Sequence, residues 1–154
     1  MKKSELKLAI TSSEENISML GGAVHGVCSS LTMDEQSRYN VRLCVVEAVT
    51  NCVRHAYRGA PGKPIEILIR HAGHRLQVSV RDQGEPMPEG LVGARSGTNL
   101  RPPQPLSEGG RGLFLIDALM DDVEFHVDGP TNVLTMTRVI DTRAQRIGAR
   151  PAAI

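Results

Sequence analysis

The chain has 154 residues, a formal net charge of +1, 40% hydrophobic and 23% charged residues, the size and balance of one soluble globular domain around one core. The near-neutral charge gives no case for a nucleic-acid or membrane partner, and nothing approaches a membrane span or follows the opening MKKSELKLAITSSEEN as a signal peptide would. The expected location is therefore the cytoplasm, where Cys28, Cys44 and Cys52, which cannot all pair and lack metal-ligand spacing, are expected to be reduced and buried.

In chain order, Lys7 to Ile10 reads as a short first strand. Ser12 and Glu15 have the reciprocal spacing of a capping box, which predicts a helix running to about Ser30 with Ile17, Leu20, Val24, Val27 and Leu31 on its apolar side. Gly21 and Gly22 lower the helix propensity and suit close packing. Thr32 and Glu35 form a second box, and the helix behind it turns Val41, Cys44, Val45, Ala48, Val49, Cys52 and Ala56 inward. Gly59, Pro61 and Gly62 end that helix, after which the period changes to two. Ile65, Ile67 and Ile69, a turn at Ala72-Gly73, then Leu76, Val78 and Val80 predict a hairpin. From 85 to 108 the chain is rich in proline, glycine and polar residues, a loop of a length that is usually functional. A short apolar helix from about Leu113 to Met120 follows. Then come a strand through Val123, Phe125 and Val127, a turn at Gly129-Pro130, a last strand from Val133 to Val139, and a tail from about 143 to 154 expected to fray.

Three segments carry possible chemistry. Within EAVTNCVRHAY, Glu47, Asn51 and His55 are spaced four apart and so share one helical face. Exposed polar residues are ordinary on helices, yet these lie among apolar neighbours, which a site cleft explains better. A carboxylate there can accept a proton, and an amide oxygen suits Mg²⁺, a hard ion that takes its other ligands from water and phosphates. For His55 the alternative is a favourable helix C-terminal position. Asp82 and Gly84 either make the turn that leaves a strand or form a site, the carboxylate accepting the exocyclic amine of adenine and the glycine letting a flat ring approach. Gly109, Gly110, Arg111, Gly112 and Leu113 are either a hinge or a helix start whose N–H groups hold phosphates. The segment matches neither GxxxxGK[ST] nor a strand-following GxGxxG.

With these motifs in this order, the sequence resembles the GHKL ATP-binding superfamily of gyrase subunits, heat-shock chaperones and histidine-kinase catalytic domains. ExxxNxxxHAY looks like its N box, DxG its first glycine box and GGRGL its second. EAVTN and GGRGLFLI are similar to the anti-sigma-factor serine kinases of bacterial partner switching, over roughly residues 6 to 140. The resemblance implies an α+β, two-layer sandwich in which a mixed, mainly antiparallel sheet carries helices on one face, formed by a single kinase domain over residues 1–142. It implies ATP and Mg²⁺ as cofactors, Glu47 as catalytic base, Asn51 as metal ligand and Asp82 as adenine reader beside Gly84. Gly110, Arg111 and Gly112 would line the phosphates under a lid at about 85–108. The superfamily often begins its last strand Gly-Thr; this chain has Thr131-Asn132, so that adenine contact is left unassigned.

The leading expectation is a serine/threonine-protein kinase that phosphorylates a STAS-domain anti-anti-sigma protein and sequesters a sigma factor or similar regulator. Such proteins are often homodimers, and the first helix with Gly21 and Gly22 is the candidate surface. The alternative is a nucleotide-gated binding protein that sequesters a regulator without phosphorylating anything.

Overall fold

A computed structural model describes residues 2–88, 90–92 and 110–140. Strand β1 (Lys3–Thr11) leads into helices α1 (Glu14–Ser29) and α2 (Glu35–Asn51), and α2 runs on into a π-helical turn, Cys52–Ala56. Strands β2 (Pro64–Ala72) and β3 (Arg75–Asp82), helix α3 (Gly110–Leu119), and strands β4 (Asp122–Asp128) and β5 (Thr131–Val139) complete the fold. The strands form one five-stranded sheet in the order β1-β2-β3-β5-β4. The expected two-layer α+β sandwich is what forms, and each of its four strand pairings is antiparallel.

Alternation along the strands sorts the two faces. Ile65, Ile67, Ile69, Leu76, Val78, Val80, Leu134 and Met136 are buried in one core with Leu20, Val24 and Cys28 of α1, Val41, Val45 and Val49 of α2, and Ile116 of α3. Each fully buried aliphatic side chain of this kind contributes about 1.5–3 kcal/mol. The opposite face carries polar pairs, among them Glu66 with Lys7 and Arg81, Arg70 with Glu5, and Ser79 with Thr135.

Several boundaries differ from the sequence expectations. Neither predicted capping box forms. The N-cap of α1 is Ser13, without a side-chain bond, because the Ser12 hydroxyl is spent on the Ala60 carbonyl at 2.6 Å and the Lys63 N–H at 2.9 Å. The N-cap of α2 is Asp34, whose carboxylate accepts from the Ser37 N–H at 2.8 Å and the Ser37 hydroxyl at 2.6 Å. Gly21 packs against α2, where a Cβ would meet Val46 Cγ2 at 3.1 Å, while Gly22 faces open space. The first strand is longer than expected because its outer residues gain a ladder to β2. Most of the expected lid, Gly109 and the tail from 143 lie outside the described residues.

Candidate nucleotide site

Helix α2 presents Glu47 and Asn51 one turn apart, both half-buried. Gly112, in the first turn of α3, closes on them: a Cβ there would lie 2.7 Å from Glu47 Oε2 and 3.6 Å and 3.7 Å from the Asn51 amide atoms. The space between the two helices exists because residue 112 is glycine. Asn51 Nδ2 is buried and has no hydrogen-bond partner among the described residues. The orphaned N–H donor, facing a space only glycine leaves open and beside a helix start whose N–H groups favour anions, suits a phosphate or water oxygen, and the Oδ1 of the same amide is the hard ligand a divalent ion shared with phosphates would take.

Beyond Asn51 the helix widens. The Tyr57 N–H donates to the Cys52 carbonyl at 2.9 Å, the i+5 pattern of a π turn. The spacing of four that aligned His55 with Asn51 therefore does not hold to the end of the motif, and His55 is exposed. The Tyr57 hydroxyl donates to the Pro64 carbonyl at 2.5 Å and accepts from the Gln83 N–H at 2.7 Å, tying the turn to β2 and to the end of β3. Burial pushes that phenol above its ordinary range.

Asp82 ends β3, 8% exposed, and its carboxylate is held from three sides. Oδ1 accepts from the Gly84 N–H at 2.9 Å and from Asn132 Nδ2 at 2.8 Å; Oδ2 accepts from the Cys52 thiol at 3.3 Å. Asn132 Nδ2 also donates to the Gly84 carbonyl at 3.0 Å. Gly84 lies directly on Ala56, whose carbonyl accepts from the Glu85 N–H at 2.8 Å. Arg58, at φ 50°, pairs with Glu85 just beyond.

The sequence motifs thus converge on one region. Glu47, Asn51 and Gly112 come together, Asp82 and Gly84 meet the far end of the same helix, and Gly110 and Arg111 open α3. Leu113 packs into the core, and Gly109 lies outside the described residues. Two further residues hold Asp82. Asn132 sits directly opposite Asp82 in the β3–β5 register, which no reading of β5 alone reveals. The sequence reads Cys52 as a small buried apolar residue; it is buried, and it also donates to Asp82.

A family model described as a histidine kinase-like ATPase domain matches residues 10–138. The serine-protein kinase RsbW of Halalkalibacterium halodurans is 30% identical over 151 residues, covering 94% of this chain and 91% of that protein. The serine-protein kinase RsbW of Bacillus pumilus is 29% identical over 140 residues, covering 88% and 86%. Among solved structures, the RsbU and RsbW domains of Rv1364c from Mycobacterium tuberculosis superpose with a TM-score of 0.64 at 15% identity, covering 89% of this chain and 32% of that one. That likeness concerns the fold. Among the described residues no helix is long and apolar enough to cross a membrane.

Proposed function

Because the chain belongs to the histidine-kinase-like ATPase domain family and is a relative of the RsbW serine-protein kinases, we propose that it is an ATP-dependent serine/threonine-protein kinase of partner switching. Its substrate is a small STAS-domain antagonist, and its second partner is a sigma factor or similar regulator that it sequesters. The observation that carries this reading is the meeting of Glu47, Asn51 and Gly112 between α2 and α3.

Phosphoryl transfer asks a protein for positioning and charge neutralisation more than for covalent chemistry. Glu47 orients the acceptor hydroxyl and takes its proton as the oxygen attacks. The first-turn N–H groups of α3 hold phosphate oxygens, with Arg111 adding charge, and Gly112 leaves them room. Asn51 is the residue that would hold Mg²⁺, which when bound supplies charge neutralisation between phosphates. Asp82, fixed by its three donors, accepts the exocyclic amine of adenine, while the absence of a side chain at Gly84 serves its packing on Ala56. The phosphate added to the antagonist brings nearly two negative charges to its interface, ejects it, and frees the kinase for the regulator. A homodimer belongs to the same reading, with the outer side of α1, where Met19 is 72% exposed, as its surface.

The test is intact-mass spectrometry of small STAS proteins after incubation with the protein and Mg·ATP, with Glu47→Ala alongside. One candidate should gain a single phosphate, and the variant should bind ATP without transferring. Binding of ATP with no mass gain on any candidate would leave a sequestering module in place of a kinase.

A further inference from the structure

Resting on the reading of Asp82 as the adenine acceptor, we infer that Cys52 and Asn132 are specificity-determining positioning residues, which hold the Asp82 carboxylate so that it can accept one further donor only. A carboxylate has about four acceptor positions across its two oxygens. The Gly84 N–H and Asn132 Nδ2 occupy both positions of Oδ1, and the Cys52 S–H occupies one of Oδ2. A single acceptor position on Oδ2 remains for a base.

The arrangement is rigid as well as saturated. Asn132 is 3% exposed, faces Asp82 across the β3–β5 ladder and spends its two Nδ2 hydrogens on Asp82 Oδ1 and the Gly84 carbonyl, so the amide cannot turn. Cys52 is 7% exposed and approaches from the π turn on the other side. Its thiol donates to Oδ2 at 3.3 Å, which holds the second carboxylate oxygen from that side. Held from both sides, the carboxylate cannot rotate to relieve a mismatch. A base with an amine at the six position satisfies the open position. A base with a keto oxygen there opposes acceptor to acceptor, and no rearrangement of Asp82 removes the conflict. Cys52 and Asn132 thus act through Asp82, by keeping it from adapting to the wrong base.

The experiment compares affinities for ATP and inosine triphosphate, which differ at that position of the base, by calorimetry on the wild type, Cys52→Ala, Cys52→Ser and Asn132→Ala, with circular dichroism to establish folding. The wild type should prefer ATP by about tenfold or more, as expected for a lost hydrogen bond that also leaves a buried acceptor unpaired. In Cys52→Ala and Asn132→Ala the preference should shrink about three- to tenfold, while Cys52→Ser, which keeps a hydroxyl donor, should stay within about twofold of wild type. If the alanine variants bind both nucleotides more weakly with the ratio unchanged, the two residues are structural and the inference fails, although the adenine reading stands. If the wild type itself does not distinguish the two nucleotides, the adenine reading falls and takes the inference with it. Should Asn132→Ala not fold, the comparison of Cys52→Ala with Cys52→Ser decides by itself.

Discussion

Glu47 Oε2 stands 2.7 Å from the point a Cβ on Gly112 would occupy, so the carboxylate and the first turn of α3 share a space that one methyl group would fill. The atom in the way is the end of a flexible side chain, and the carboxylate can swing aside at small cost. Alanine is also the better helix former, by about 1 kcal/mol. Gly112→Ala is therefore expected to keep or raise the urea midpoint of unfolding while lowering phosphate transfer to the STAS acceptor more than about tenfold, since the base is displaced from its reacting geometry. A variant that is as active as wild type would show that the placement of Glu47 against α3 does not matter.

The same substitution at Gly84 should act in the opposite sense. A Cβ there would overlap the Ala56 carbonyl and come within 2.8 Å of Ala56 Cβ, and backbone cannot swing aside as a side chain does. Relief requires the start of the 84–88 segment to move off the π turn, breaking the Glu85 N–H to Ala56 carbonyl bond. The expected cost of Gly84→Ala is about 1–3 kcal/mol, read as a lower urea midpoint at unchanged slope. A midpoint equal to wild type would mean that this contact is loosely held.

Much of this was legible in the sequence, for identifiable reasons. The alternations Ile65-Ile67-Ile69 and Leu76-Val78-Val80 have the strict period of half-buried strands, and the stripe from Val41 to Cys52 has a helical one, so element types followed directly. Glu47 and Asn51 stand out as polar residues within an apolar helical stretch, and Gly112 through its glycine-rich helix start and the resemblance that GGRGL carries. What escaped were properties set across the chain. Ser12 is drawn from the α1 cap by Ala60 and Lys63, about fifty positions away, and Asn132 gains its role from Asp82 at the same remove. The π turn was hidden because VRHA reads as ordinary helix; it is fixed by Tyr57, whose hydroxyl bridges Pro64 and Gln83.

The helix cap at Asp34 separates the structure from the simpler reading of the sequence, in which Thr32 held that place. Asp34→Ala should cost about 1 kcal/mol at neutral pH, the usual value for a lost N-cap, whereas Thr32→Ala should change stability by less than about 0.5 kcal/mol. The Ser37 hydroxyl, and then its N–H, hold the Asp34 carboxyl below its ordinary range. A depressed folded-state value means that the contribution is complete above about pH 4, where the carboxyl ionises in the unfolded chain, and fades as pH falls below that. Urea midpoints of wild type and Asp34→Ala should accordingly differ at pH 7 and converge toward pH 3. A constant gap would show that the cap does not depend on the charge.

At the alkaline end the buried thiols set the trend. Burial raises Cys28 to about 11, against a small opposing effect of Arg38, and raises Cys44 to about 12, where the Glu47 charge adds to the burial. In the unfolded chain both titrate near pH 8.5. Between that value and the folded ones, the unfolded state has released protons that the native state retains. The sign follows: stability is intact below about pH 8.5 and declines as pH rises, by up to about 1.4 kcal/mol per pH unit for each thiol. Urea midpoints measured at pH 7.5, 9 and 10 should fall progressively. In Cys44→Ala the starting midpoint will be lower, because a buried side chain is truncated, but the decline with pH should be shallower since one titrating group is gone. It is the slope, rather than the level, that tests the assignment, and a wild-type midpoint that stays flat from pH 7.5 to 10 would mean that these thiols already ionise in the folded protein as easily as in water.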